Sequence, residues 1–449
     1  MSTDPEQPPI FDGHAVVEHL PGEPRREPPG APRLVLLIVA RTLTLVVLAV
    51  LTSWLWPLHL VARLRWGRPP NVPRLRQVRR YLRLIWIVRP PSPGLLLGTR
   101  VWLTLSVIRK VVLTPVWGLA WNLDWLLYGE RLRSTAVVAP LLEISAARSG
   151  STQLARYIED DPRLAAPTVL QAIFPYLWLW RLVPRTLGRF ITIEQARQRI
   201  ESRFPPEFRE RHEGDPFRTD TFEGALYISH LNHLSPFLGP DVMTEDFGFA
   251  GTAEHNRTLW EVDFVEYLDG VARKILLHAG PGPDGRAPRF FAKGHFLAAA
   301  EALARRYPDA RFLTMIRDPG PRLRSAVNFL RVNPADPVLP NVPWVWVGEA
   351  LVRTEVAYCE LEQRWYGRED GVRRCVLRFS EYVRDLEGTM ETIYRECLDC
   401  PTLPEHVPRE HEPRRRSDYM VDRTLAQVGI DEDGLDRRLR AYREWCRGG

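Results

Sequence analysis

Lysine is almost missing from this 449-residue chain: Lys110, Lys274 and Lys293 are the only three among 61 Lys and Arg residues. Arginine supplies the rest. So strong a skew reads as coding bias, which leaves arginine counts uninformative and makes each lysine more informative. Cysteine is scarce too. The five (Cys359, Cys375, Cys397, Cys400, Cys446) are odd in number, fall late in the chain and share no repeated spacing. That excludes a disulfide-stapled secreted fold. Cys397-Leu-Asp-Cys400 lacks a second pair at zinc-ligand distance and reads as incidental thiols, with no metal expected. The net charge of +6 is too mild to argue for nucleic acid, and 45% hydrophobic with 26% charged residues excludes a wholly disordered or collagen-like chain.

What is present divides the chain into three parts. Residues 1–33 are proline- and charge-rich and predict a disordered tail. Residues 34–133 form a hydrophobic helical region. Leu34–Trp56 has 23 residues with one charge, Arg41, and is long enough for a membrane span; Arg41 lies near one end and could snorkel. The arginines that follow (Arg63, Arg65, Arg68, Arg74, Arg76, Arg79, Arg80) outnumber Arg25, Arg26 and Arg33 before it. The positive-inside bias then predicts membrane association with the large C-terminal part cytoplasmic. A second apolar stretch, Leu95–Leu127, is broken by Arg100, Arg109, Lys110 and Asp124, and suits a segment lying on the membrane or on the globular part.

Residues 134–449 alternate strand-like and helix-like runs, which predicts an α/β layer with a mostly parallel sheet. Strands are expected at Pro140–Ser145, Ala225–Ser229, Arg311–Ile316 and Arg374–Phe379. Helices are expected at Gln153–Glu159, Ala298–Arg306, Pro321–Leu330, Leu386–Cys397 and Gly434–Trp445.

Two stretches carry chemistry. Leu141–Thr152 runs from an apolar strand through Arg148-Ser149-Gly150-Ser151-Thr152 into a helix start. Unpartnered amides, the helix dipole, three hydroxyls and a guanidinium together suit an anion. A Walker A loop would need Gly at 145 and Lys at 151, and both are Ser, so a magnesium-bound triphosphate is poorly served. The second stretch, Arg311–Arg317-Asp-Pro, delivers Arg317 at the C-terminal edge of a buried strand, with Ser325 eight residues on. Hydroxyl and guanidinium can converge there on one dianionic phosphate.

These two stretches, with Lys293, Tyr307-Pro-Asp-Ala-Arg-Phe, Leu377-Arg-Phe-Ser-Glu-Tyr and Arg414-Arg-Arg-Ser, resemble the sulfotransferase superfamily that uses 3′-phosphoadenosine 5′-phosphosulfate. The bacterial-type branch known as sulfotransferase family 3 is the nearest in pattern, over roughly 135–445. The resemblance implies a P-loop-like three-layer sandwich and sulfuryl transfer, without metal, from that nucleotide to a hydroxyl or amine of an acceptor such as a lipid or glycan. It further implies that Arg148, Ser149, Gly150, Ser151 and Thr152 hold the 5′-phosphosulfate and Arg317 and Ser325 the 3′-phosphate. Arg415, or its neighbours 414 and 416, would close over the nucleotide, and Lys293 would neutralise the leaving phosphate. Gly294-His295-Phe296 departs from the branch's Ser-Pro pattern after that lysine. His295, within that departing segment, is carried as a catalytic candidate. For the general base, Glu245 in an acidic segment comes first and Asp246 second, with His230 and His233 as competitors. A degenerate P-loop phosphotransferase or a non-catalytic membrane-anchored nucleotide-binding relative are the alternatives.

Overall fold

The computed structural model describes residues 10–21, 23, 29–87, 97–186, 192–202, 215–246, 254–282, 285–332, 339, 341–411 and 425–448. Its centre is a five-stranded sheet in the order β2-β3-β1-β4-β5, with every pairing parallel. The strands are β1 (Leu141–Glu143), β2 (Leu164–Ala165), β3 (Arg289–Lys293), β4 (Arg311–Ile316) and β5 (Arg373–Arg378). β1, β3 and β4 are buried on both faces, as expected of apolar runs in a parallel sheet.

Alternate side chains enter two different cores. Leu142, Phe290, Ala292 and Phe312 pack with Phe264, Leu268 and Val271 on one face. Leu141, Phe291, Leu313 and Met315 pack with Leu154, Ile158, Met390 and Ile393 on the other. This period-2 division makes the three-layer sandwich. The chain leaves β1 for one side of the sheet and later returns to the other, so a topological switch point lies at β1. In such sheets the crevice at the strands' carboxyl ends is where ligands bind.

The hydrophobic region is five helices: α1 (Ala31–Ser53), α2 (Leu55–Trp66), α3 (Leu75–Ile87), α4 (Leu97–Val112) and α5 (Thr114–Ser134). α1 and α3 lie against α4, and α2 lies against α5. Arg41 turns inward instead of snorkelling: its guanidinium donates to Ser106 Oγ at 2.7 Å and sits 3.8 Å over the Trp102 ring. The opposite face of α1 exposes Val35, Leu36, Val39, Leu43, Val46, Val47, Val50 and Leu51. By length and composition, two stretches among the described residues could cross a membrane, α1 and the α4–α5 run.

This module is fastened to the sandwich by buried charge. Asp124 of α5 accepts from the amides of Leu177 and Trp178 at 2.9 and 2.8 Å and pairs with Lys274 at 3.0 Å, both side chains fully buried. Lys274 also lies 3.4 Å over the Trp121 ring. Elsewhere Arg68 and Arg74 pair with Asp263, and Arg80 pairs with Asp246.

Two expectations are corrected. Ala225–Ser229 is helix (Gly224–Ser229), not strand. β3 already has neighbours on both sides, so the sheet has no vacancy there, and a five-residue apolar run does not by periodicity distinguish helix from strand. The tail expected to be disordered is docked where it is described. The Asp12 amide donates to Gly429 O, the Asp431 amide to Ile10 O, Phe11 bridges Ile430, and Leu20 is buried.

Removing one partner of a buried ion pair leaves the other uncompensated. Asp124→Ala is therefore expected to destabilise the protein by about 3–5 kcal/mol, lowering the melting temperature well below that of Asp124→Asn, which keeps an acceptor for the two amides. Equal melting temperatures for Asp124→Ala and wild type would remove this contact from the account.

Candidate functional site

The loop after β1 turns through two left-handed residues, Arg148 (φ 65°) and Gly150 (φ 99°), before the helix α6 (Ser151–Ile158) begins. A Cβ at Gly150 would meet the Phe379 ring at 2.9 Å and Met315 Sδ at 3.2 Å, so glycine is needed for space as well as for φ. The Ser149 hydroxyl closes the loop by donating to Ala146 O at 2.8 Å. The first amides of α6 have no intrahelical acceptor and face the sheet's carboxyl edge.

Arg148 joins the two predicted anion grips. Its Nε donates to Ser325 Oγ at 2.9 Å, on the helix α7 (Pro319–Val332) that follows β4. Its carbonyl accepts from Arg317 Nη1 at 2.9 Å, and the Arg317 guanidinium stacks 4.0 Å over Phe379. Residues some 170 positions apart in sequence thus meet at one crevice. Phe379, which packs on both Gly150 and Arg317, lies in the Leu377-Arg-Phe-Ser-Glu-Tyr stretch that carries the resemblance but was not singled out as a site residue.

Lys293, at the end of β3, is 2% exposed. Its ammonium donates to Thr152 Oγ1 at 3.0 Å and pairs with Asp220 Oδ1 at 2.6 Å. In register across β1, Lys293 faces Glu143. Glu143 is fully buried; its Oε1 takes the Ser145 amide at 3.2 Å and also the Ser145 hydroxyl, while Oε2 has no partner among the described residues. Burial raises its pKa to about 7, against the lowering influence of Lys293 and Ser145.

His295 lies two residues beyond Lys293. Its Nδ1 is 2.9 Å from Ser145 O, a group that only accepts, so Nδ1 carries the proton and Nε2 is left as the basic nitrogen. Burial, reinforced by the Lys293 charge, pushes its pKa down to about 3, so the imidazole is neutral at physiological pH. The His295 amide donates to Glu223 Oε1 at 3.0 Å. Glu223 is fully buried, and burial raises its pKa to about 7 as well. Neither Asp220 nor Glu223 was identified from sequence: each meets its partner across 70 or more residues, and no spacing rule reports such a contact.

Glu245 sits on the helix Pro240–Asp246, where its carboxylate faces Arg80 of α3 at 3.4 Å. Its neighbour Asp246 is buried, paired with the same guanidinium and accepting from the Tyr81 hydroxyl at 2.8 Å. His230 faces Asp263 at 3.3 Å. Glu245 and Asp246 thus join this helix to the helical module, while His230 packs on the carboxylate that Arg68 and Arg74 share. Arg415 and its neighbours lie outside the described residues.

A buried acid with a raised pKa keeps its proton in the folded chain and loses it in the unfolded one. Stability therefore falls as pH rises from 4.5 toward about 7, the window between the two values for Glu143. Glu143→Gln is expected to flatten the fall in melting temperature between about pH 5 and about pH 7. A slope identical to wild type would mean that the carboxyl is already ionised in the fold.

The sequence model described as "Sulfotransferase family" matches residues 140–402, which spans every residue of this cluster. Among solved structures, the chain is similar to the sulfotransferase STF9 from Mycobacterium avium, with a TM-score of 0.57, 19% identity, and coverage of 86% of this chain and 95% of that one. It is also similar to the sulfotransferase STF1 from Mycobacterium tuberculosis H37Rv, with a TM-score of 0.53, 15% identity, and coverage of 86% and 98%. At such identities these two report the fold. No curated protein matches the chain. With more than half of its length matched by the family model, and with the expected three-layer fold around the switch point, the chain belongs to the sulfotransferase family.

Proposed function

We propose that the chain moves a sulfuryl group from 3′-phosphoadenosine 5′-phosphosulfate to a hydroxyl on an apolar, membrane-derived acceptor. The observation that carries this reading is Arg148, which contacts Ser325 through its side chain and Arg317 through its carbonyl. A single nucleotide bearing phosphate at both ends fits two anion grips held in contact.

In this reading the α6 amides, Ser151, Thr152 and Arg148 take the 5′-phosphosulfate, and Arg317 with Ser325 takes the 3′-phosphate. The acceptor oxygen attacks sulfur in line. An O–S bond forms on the acceptor while the bond from sulfur to the 5′-phosphate oxygen breaks. The acceptor proton passes to His295 Nε2, and the charge left on the phosphate is met by Lys293 and Arg148. His295 takes the role of base in preference to Glu245, because it lies two residues past Lys293 whereas Glu245 faces Arg80.

The acceptor class rests on a cavity beside the loop, lined by Ala147, Met243, Leu323, Leu330, Ala350 and Leu351 among others. Its wall contains few polar groups, Arg322, Thr354, Glu355 and Tyr358, and three of them are engaged. Arg322 donates to Glu355 at 2.8 Å, to the Tyr442 hydroxyl at 3.1 Å and to Cys359 Sγ at 3.1 Å, while the Tyr358 hydroxyl donates to Ile144 O. A glycan needs many hydrogen-bonding partners; a hydrocarbon body needs none. The exposed apolar face of α1 supports a membrane source for such a molecule, and the arginine excess after residue 56 supports a cytoplasmic catalytic region.

Calorimetric titration with adenosine 3′,5′-bisphosphate tests the donor assignment. Arg148→Ala and Arg317→Ala should each weaken binding by more than roughly 1.5 kcal/mol, the value of a charge-assisted contact. Wild-type protein that binds magnesium–ATP but not the bisphosphate would instead select a phosphotransferase. For the base, His295→Ala should retain bisphosphate affinity and lose about 10²–10⁴ in turnover; full turnover would reassign the proton transfer.

A further inference from the structure

The segment Asp220-Thr-Phe-Glu223 crosses the carboxyl end of β3 and grips it at three points. Asp220 Oδ1 takes the Lys293 ammonium at 2.6 Å, the Phe222 amide donates to Lys293 O at 3.0 Å, and Glu223 Oε1 takes the His295 amide at 3.0 Å. One grip is on the lysine side chain and two are on the backbone on either side of Gly294. The segment is itself anchored: Arg156 on α6 donates to Thr219 O at 2.6 Å, and the Thr219 amide donates to Glu159 Oε2 at 2.8 Å. It therefore ties the helix that follows the anion loop to the strand end that carries Lys293.

Glu223 also accounts for the residue between Lys293 and His295. Its second oxygen, Oε2, has no hydrogen-bond partner among the described residues, and a Cβ placed on Gly294 would lie 2.0 Å from it. The carboxyl fills the space that a side chain at 294 would occupy, and glycine lets the backbone pass against it. The carboxyl is sealed from solvent, and the long-range hydrogen bond its Oε1 makes is to the amide of the residue that bears the base.

We propose that Glu223, with Asp220, is a positioning residue for sulfuryl transfer, fixing the Lys293-Gly294-His295 turn so that ammonium and imidazole address the same reacting group. This rests on the roles given above to Lys293 and His295. Glu223 acts through the backbone and touches no substrate in this account. The group it positions is the imidazole, whose own Nδ1 is held from the far side by Ser145 O.

The test uses full-length protein and the conversion of radiolabelled 3′-phosphoadenosine 5′-phosphosulfate to the bisphosphate with water as acceptor, so no acceptor need be known. In that reaction water attacks sulfur, the bond to the 5′-phosphate oxygen breaks, and the water proton goes to the base. Glu223→Ala should lower the rate constant at saturating donor by about 10–100-fold, as small misplacements of a reacting group do, with bisphosphate affinity unchanged by calorimetry. Glu223→Gln, which keeps an acceptor for the His295 amide, should restore most of the rate. Gly294→Ala should be damaging in the wild-type background and less so beside Glu223→Ala, because one of its clashes is gone. Equal losses in Glu223→Ala and Glu223→Gln, an unchanged rate in Glu223→Ala, or loss of bisphosphate affinity would each overturn the positioning role. Failure of the underlying reading shows separately, as wild-type protein that neither binds the bisphosphate nor depends on His295.

Discussion

The register of three parallel strands governs the rest of this molecule. Glu143 stands opposite Lys293 on one side and Leu313 on the other, so the strands' three exits open onto one edge. From that edge come the anion loop, the Lys293-Gly294-His295 turn and Arg317. A parallel sheet directs every carboxyl end the same way, and the reversal of strand order at β1 separates the flanking connections enough to leave a crevice. In the proposed reaction, guanidinium, ammonium and helix-start amides would supply compensating charge from fixed places, with no reorganisation as charge moves.

Placing positive groups in such a crevice requires negative ones nearby, and the sandwich supplies them buried. Glu143, Glu223 and Asp220 surround Lys293 and the turn after it. Burial favours the protonated form of the two glutamates, so they hold amides and hydroxyls without placing full negative charge at the crevice. Left-handed backbone at Arg148 is the accompanying local strain, located where the chain must turn sharply toward Ser325 and Arg317.

The readable parts of the sequence were those whose physics is local. A strand, small residues and a helix start identify Arg148–Thr152 within one window, and Arg317 with Ser325 is legible for the same reason. β4 and the helix Leu386–Cys397 matched their expected limits because an apolar run or a helical period fixes both. Long-range pairings were not readable. Asp220 and Glu223 enter the site from a connection whose own sequence carries no signal, and Ala225–Ser229 is helical where a five-residue apolar run by itself distinguishes neither helix nor strand. Glu245 illustrates the converse. An acidic pair in the right region invites a catalytic reading, and the fold sets the Glu245 carboxylate against Arg80, a pairing that no local spacing announces.

The N-terminal helices are joined to the sandwich through Asp124–Lys274, Arg68 and Arg74 with Asp263, and Arg80 with Asp246. The helix Pro240–Asp246 lies between the two parts, placing Val242 in the helical module's core and Met243 in the wall of the apolar cavity. The helical module with its exposed apolar face and the cavity beside the loop after β1 are thus built on shared elements. The most direct measurement of the central claim is a crystal structure of the protein with adenosine 3′,5′-bisphosphate. The account predicts one nucleotide with its 5′-phosphate at the start of α6 beside Lys293 and its 3′-phosphate against Arg317 and Ser325; a nucleotide reaching only one of these grips, or bound on another face, would contradict it.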